Sequence, residues 1–323
     1  MPMLTWKKSK RWKNIIEGDV MRVVITGATG FIGRALCKEL CKDYEIVALT
    51  RNVESARNSI GDIAKVVLWD AKTAAGWAEE ADGALAIINL AGENAASGRW
   101  NKARKSRILQ SRLDAISAIV EAIKQIKNKP KVVIQTSAIG WYGLSLDKSF
   151  DEDSPRGEGF LAGVCRDIES RAEEYERLGI RCAVIRTGVV LGRDGGAFPK
   201  MATPFRFYFG GYLGSGRQWF SWIHLEDEVA AIKFLMENEH LKGAFNLTAP
   251  QPIRMKEFSK ILGKVMHRPL WFNAPAFAAR LAFGEMANEM LLAGQKVLPK
   301  RLLNTGFDFK YTNVKQALID ITS

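Results

Sequence analysis

Residues 21–40 read MRVVITGATGFIGRALCKEL, and this stretch decides the fold. Val23, Val24 and Ile25 form a β-branched apolar run of strand length. A glycine-rich turn follows at once, Thr26-Gly27-Ala28-Thr29-Gly30-Phe31-Ile32-Gly33, and residues 34–42 read as a helix. A buried strand feeding such a turn and a helix N-terminus is the dinucleotide-binding βα unit. Its glycines let the backbone turn tightly and approach a pyrophosphate, and the positive end of the helix dipole faces that anion. The spacing here is G-x-x-G-x-x-G, through Gly27, Gly30 and Gly33, rather than G-x-G-x-x-G.

Working outward, the same alternation continues. A second strand over residues 45–49 ends in Thr50-Arg51-Asn52, and a third over 65–69 ends at Asp70. NAD-preferring proteins place an acid at the end of the second strand to bond the ribose 2′-hydroxyl. Here Thr50 and Arg51 stand in that place, and a guanidinium suits a 2′-phosphate, so the cofactor expected is NADP(H). Residues 84–90 read as a buried fourth strand running into Asn89-Leu90-Ala91-Gly92, and 100–126 as a long helix with Ser111-Arg112 midway. A fifth strand, 132–136, delivers Ser137 to a loop that contains Tyr142. A helix over 159–178 and a sixth strand over 182–187 follow, and that strand leads into Gly188-Val189-Val190. Strands alternating with helices at this spacing predict an α/β, Rossmann-type, doubly wound parallel sheet.

After about Gly195 glycine and aromatic residues dominate. Helices are expected over 226–236, 255–265, 276–283 and 285–292, with a short strand over 244–247. The organisation predicted is a basic extension over residues 1–20, a Rossmann domain over 21–195 and a smaller C-terminal α/β substrate lobe over 196–323. The last two interleave as one structural unit.

Composition narrows the function classes. The chain has 323 residues, 47% hydrophobic and 25% charged, as in ordinary globular proteins. No apolar run reaches the roughly 20 residues of a membrane-spanning helix, and the first twenty residues lack the apolar core of a secretory signal. Cys37, Cys41, Cys165 and Cys182 show no metal-ligand spacing, which suits a reducing cytoplasm and no metal centre. The net charge of +12 is partly the cluster Lys7, Lys8, Lys10, Arg11 and Lys13. No nucleic-acid motif accompanies it, so the partner expected is a small molecule, with no nucleic acid and no membrane, for a monomer or homodimer.

Several segments together resemble the atypical extended short-chain dehydrogenase/reductases of the epimerase family, NAD-dependent epimerase/dehydratase-like proteins. They are ITGATGFIG, NLAGEN with GRW, SRL at Ser111-Arg112-Leu113, the DEDSP loop, RTGVVLG with DGGA, GSGRQWFSWIH at 214–224 and GQKVLPKRLL at 294–303. The resemblance implies NADP(H) held by Gly27, Thr29, Gly30, Phe31, Ile32 and Gly33, and by Thr50 and Arg51. It further implies Asp70 against the adenine, and Leu90, Ala91, Gly92, Arg112 and Val190 along the rest of the cofactor.

The catalytic residues are less regular. A working enzyme of this type uses Tyr-x-x-x-Lys on the helix after the fifth strand, the lysine lowering the tyrosine pKa for proton exchange. In the matching register Leu161 and Cys165 hold those places, and Tyr311-x-x-x-Lys315 lies far outside the Rossmann portion. Ser137 and Tyr142 are the substitute catalytic candidates. On the substrate side Arg217, Trp219 and Trp222 can form a wall for an anionic or flat molecule, with His224 touching substrate. Two readings follow: an oxidoreductase or epimerase-type enzyme acting on a small molecule, or a non-catalytic NADP(H)-binding sensor or scaffold.

Overall fold

A computed structural model describes residues 21–323, so the expected basic extension lies outside the described residues. The opening stretch forms strand β1 (Arg22–Thr26) and helix α1 (Phe31–Leu40). Then come β2 (Glu45–Thr50), α2 (Val53–Ile60), β3 (Lys65–Leu68), β4 (Ala86–Asn89), α3 (Lys102–Gln125), β5 (Val132–Ala138), the short β6 (Ser149–Phe150), α4 (Phe160–Arg177) and β7 (Arg181–Thr187). All pairings in the main sheet are parallel, in the order β3-β2-β1-β4-β5-β7, and the Gly243–Leu247 strand adds outside β7. The chain therefore forms a Rossmann-type doubly wound sheet. Strand order reverses between β1 and β4, where the following loops part and leave a crevice at the carboxyl ends of the strands.

Both faces of the sheet are buried, which explains the continuous apolar runs. Val23, Ile25 and Ile88 point to one face, against Leu36 of α1. Val24 and Ile87 point to the other, against Ile119 of α3 and Ile168 of α4. A third core, containing Phe198, Phe220, Trp222, Phe258 and Leu318, belongs to the C-terminal lobe. The lobe and the sheet interleave: the seventh sheet strand, Gly243–Leu247, comes from beyond residue 195.

From β7 the chain makes β8 (Val189–Gly192), α5 (Phe198–Arg206), α6 (Leu225–Glu237), α7 (Met255–Val265) and α8 (Ala276–Phe283). Helix α5 has no counterpart in the sequence reading, because it contains Pro199 and Pro204. Pro199 sits in the first turn, where a missing N–H costs nothing. The helix expected over 285–292 is a single π-helical turn, Ala287–Leu291. All four cysteines are free, and no helix among the described residues is long and apolar enough to cross a membrane.

Candidate cofactor and active site

The ends of three central strands are tied by a buried ladder of side chains. The Thr26 hydroxyl donates to Asn89 Oδ1 at 2.6 Å and accepts from the Ala91 amide at 3.2 Å. Asn89 Nδ2 donates to Gln135 Oε1 at 2.9 Å, and the Tyr175 hydroxyl donates to the same oxygen at 3.3 Å. This ladder fixes the loop after β4 against the glycine turn. Gly27 has φ +66°, and a Cβ there would lie 2.8 Å from the Leu90 carbonyl carbon. At Gly33 a Cβ would lie 2.3 Å from Gly27 O. These two glycines serve backbone-on-backbone packing, since a side chain at either would collide with the chain itself. Gly30 is the exposed N-cap of α1, and an added Cβ there meets only Gly27 O at 3.1 Å.

The first turn of α1 has no side-chain cap and no acid, so the amides of Phe31, Ile32 and Gly33 are left for an anion at the positive end of the helix. Arg34 Nη1 holds Thr29 O at 2.9 Å and braces the turn from behind. At the end of β2, Thr50 is buried and Asn52 caps α2 by accepting from the Ser55 amide at 2.9 Å. Arg51 between them is exposed and has no partner among the described residues. Asp70 accepts from the amides of Thr73 and Lys72, and these bonds hold its carboxyl below the usual range. Across the crevice Arg112 packs on Gly92, with Nη1 donating to Glu93 O at 3.0 Å and Ile108 O at 2.7 Å. Val190 lies in β8, paired with Ile223.

The sequence candidates for proton transfer meet in one network. The Ser137 hydroxyl, at the end of β5, donates to Glu169 Oε1 at 2.8 Å. Arg186, its pairing neighbour on β7, forks onto Glu169 at 3.0 and 2.8 Å. Arg186 also donates to the Tyr142 hydroxyl at 2.9 Å, and that hydroxyl donates to Asn246 Oδ1 at 2.7 Å. Tyr142 is 2% exposed, and burial pushes its phenol up to about 12. Both functions of its hydroxyl are used by protein partners, so the reading of Tyr142 as a proton donor to substrate is corrected: it is a buried strut. Leu161 lies against Gly140, and Cys165 Sγ donates to Ala138 O at 3.5 Å. Burial raises that thiol to about 11, so it stays protonated.

Glu169 and Arg186 escaped the sequence reading. Glu169 stands one helical turn beyond Cys165 on the same face of α4, and that spacing was the available signal.

The proposed substrate wall divides. Trp222 is fully buried in the lobe core and donates its indole N–H to Gln251 O at 3.1 Å, so it touches no ligand. His224 is likewise corrected. It is the N-cap of α6, accepting from the Glu226 amide at Nδ1, and its ring packs on Tyr311. Arg217 is exposed, and Trp219 is half-buried under the Arg254 guanidinium, 3.8 Å from the ring centroid. His224, Glu226 and Asp320 bring ligand atoms within 4.8 Å of one another. With Nδ1 accepting an N–H, however, Nε2 carries the proton and has no lone pair for a metal.

Glu289 reaches α4 from the C-terminal lobe. Its two carboxylate oxygens accept from the Phe160 and Leu161 amides at 2.9 and 3.0 Å, capping α4.

One buried acid has no obvious structural reward. Glu228 is fully buried, with one oxygen accepting from the Thr187 hydroxyl at 2.8 Å and the other unpartnered. Burial raises its pKa from 4.5 to about 8. Because the folded form holds the proton more tightly, this group costs stability progressively as pH rises from 4.5 to about 8. Glu228→Gln should therefore stabilise by about 2 kcal/mol near pH 8 and change little below about pH 4.5. Urea midpoints at the two pH values check this; equal effects at both would mean the carboxyl is not buried as a neutral acid.

The sequence profile of the NAD dependent epimerase/dehydratase family matches residues 23–248, and a domain of unknown function (DUF1731) matches 274–321. The chain is 42% identical over 303 residues to the chloroplastic epimerase family protein SDR39U1 homolog of Arabidopsis thaliana, covering 92% of this chain and 86% of that one. It is 40% identical over 300 residues to the epimerase family protein YfhF of Bacillus subtilis, covering 92% and 97%. The crystal structure of human epimerase family protein SDR39U1 (isoform 2) with NADPH superposes with a TM-score of 0.82 at 33% identity, covering 93% of this chain and 99% of that one.

Proposed function

The chain belongs to the NAD dependent epimerase/dehydratase family, and on that premise we propose that it is an NADP(H)-binding oxidoreductase or epimerase-type enzyme acting on a small molecule in the cytoplasm. The observation that carries this reading is the pairing of an uncapped α1 N-terminus with an Arg51, at the end of β2, that has no partner among the described residues. The first suits a pyrophosphate and the second a 2′-phosphate. The human relative's complex with NADPH supports the same cofactor. NADP(H), when bound, supplies or takes a hydride at its nicotinamide.

The chain's own residues then do the rest. The amides of Phe31, Ile32 and Gly33 hold the pyrophosphate, with Gly30 giving close approach. Arg51 and Thr50 read the 2′-phosphate, and Asp70 takes the adenine amine. The backbone at Leu90, Ala91 and Val190, with Arg112 and Gly92, frames the nicotinamide end. Ser137 moves the proton: its Oγ accepts one from a substrate hydroxyl while its own passes to Glu169, which Arg186 holds in place. Arg217 and Trp219 edge the substrate side. A second reading, a non-catalytic NADP(H) sensor, is favoured by Leu161 and Cys165 standing where tyrosine and lysine would act.

The test is NADPH oxidation against a panel of aldehydes, ketones and 2-oxo acids, with Ser137→Ala alongside. Turnover that falls roughly 100-fold in Ser137→Ala with NADPH affinity kept supports the enzyme reading. Turnover unchanged by the substitution removes Ser137 from the mechanism. Tight NADPH binding with no turnover on any compound selects the sensor.

A further inference from the structure

The C-terminal lobe carries an apolar surface that the proposed chemistry does not use. Leaving α5, Phe207, Tyr208 and Phe209 project into solvent, Phe207 being 68% exposed. The Gly210–Leu213 strand that follows pairs in parallel with Leu270–Ala274. Their register shifts by one residue, Gly210 facing Leu270 and Gly211 facing Phe272, so Trp271 is bulged out and is 74% exposed. Phe272 is also exposed, with its ring 5.7 Å from that of Phe209. Helix α8 continues from this strand through Pro275 and presents Phe277 and Leu281, one turn apart, at 70% and 76% exposure.

Two helix ends meet at this surface. Tyr208 and His267 follow the C-terminal ends of α5 and α7 with φ of +63° and +53°, a region where glycine is the usual choice. Arg268, next to His267, lies 4.4 Å from the centre of the Tyr208 ring, so both turns belong to the same patch.

Charge indicates the occupant. Neither residues 196–225 nor residues 258–284 contain a single aspartate or glutamate, while the same segments carry Arg206, Lys264, Arg268 and Arg280, with Arg268 packed on the Tyr208 ring. A second copy would press these cations against their own kind, and the basic segment at residues 1–20 would be repelled likewise. An anionic partner with an apolar interior is required. Aromatic side chains at headgroup depth, deeper aliphatic ones and surrounding arginine and lysine are what an interfacial membrane contact needs. Stacked nucleic-acid bases offer no counterpart for Leu281.

We propose that this face docks on the surface of an anionic phospholipid bilayer without spanning it. The sequence alone pointed to no membrane partner, because the patch is assembled from three separated segments. The test is co-sedimentation of the full chain with vesicles of phosphatidylglycerol and phosphatidylcholine, compared with phosphatidylcholine alone. Salt-sensitive binding to the anionic vesicles is expected, reduced roughly tenfold in the double variant Trp271→Ser/Phe277→Ser and similarly in Arg206→Glu/Lys264→Glu. Both pairs are solvent-facing, so circular dichroism and NADPH affinity should be unchanged and report an intact fold. Absence of vesicle binding, or binding equal in the variants, overturns the proposal. Patch-dependent binding to poly(U) without vesicle binding assigns the face to nucleic acid instead. A patch-dependent dimer mass in light scattering without vesicle binding assigns it to a second copy.

Discussion

Arg51→Glu is expected to weaken NADPH binding by about 100-fold while leaving NADH binding within a few-fold. The reason lies in what the side chain has to do in the absence of ligand. Arg51 is exposed at the end of β2 and makes no hydrogen bond or ion pair among the described residues, so replacing it breaks nothing in the fold. A guanidinium forking onto a 2′-phosphate contributes roughly 2–3 kcal/mol, and a carboxylate in its place adds repulsion. The ribose of NADH carries a hydroxyl that a carboxylate can accept from, so the same change favours NADH. Titration of intrinsic tryptophan fluorescence with each cofactor measures both constants. Parallel losses would show that Arg51 does not read the 2′-phosphate.

Glu169→Ala is expected to destabilise the fold by about 3–5 kcal/mol. The Arg186–Glu169 pair is nearly closed to solvent, with side-chain exposures of 5% and 12%. Burial opposes the charge on Arg186, but the Glu169 carboxylate outweighs it, so the guanidinium pKa is raised. Removing the carboxylate leaves that charge buried with the Tyr142 hydroxyl and the Trp141 ring, 4.1 Å from its centroid, and leaves the Ser137 hydroxyl without its acceptor. Glu169→Gln keeps an acceptor for both donors while removing the charge, and should cost about half as much. Urea unfolding followed by circular dichroism compares the two. A loss below about 1 kcal/mol in Glu169→Ala would mean water reaches Arg186, and that the network is not the closed brace the distances describe.

If both results hold, the two ends of the crevice have different characters. The adenosine end is an exposed recognition site that tolerates substitution, while the proton-transfer end is built into the load of the sheet. A search for altered cofactor preference therefore belongs at residues 50–52, and a search for altered reaction at the residues around Ser137 that the network does not hold.

The glycine turn, its flanking strand and helix, the parallel alternation up to β7 and the Thr50-Arg51 ending of β2 were all legible in the sequence, because each depends on contacts local in the chain. A glycine-rich stretch between an apolar run and a helix can be read from a window of about twenty residues. The side chains of the C-terminal lobe were not legible in the same way. Trp222 and His224 read as substrate contacts because aromatic residues and a histidine clustered in one run, yet the two are two apart on a short strand, share one face, and that face turns into the lobe core beside Tyr311. Trp222 went into the lobe core and His224 to the end of α6. Tyr142 was assigned a free hydroxyl because its partners, Arg186 and Asn246, lie 44 and 104 residues away.

The sequence by itself determined the sheet, the cofactor turn and the absence of an acid at the end of β2, since local propensity and period suffice for these. Only the tertiary structure decided that Gly27 packs on Leu90, that Ser137 faces Glu169, and that Glu289 caps α4 from the C-terminal lobe. Each of those is a contact between chain segments distant in sequence. Their geometry is set by how the layers close on one another, and no one-dimensional pattern encodes that.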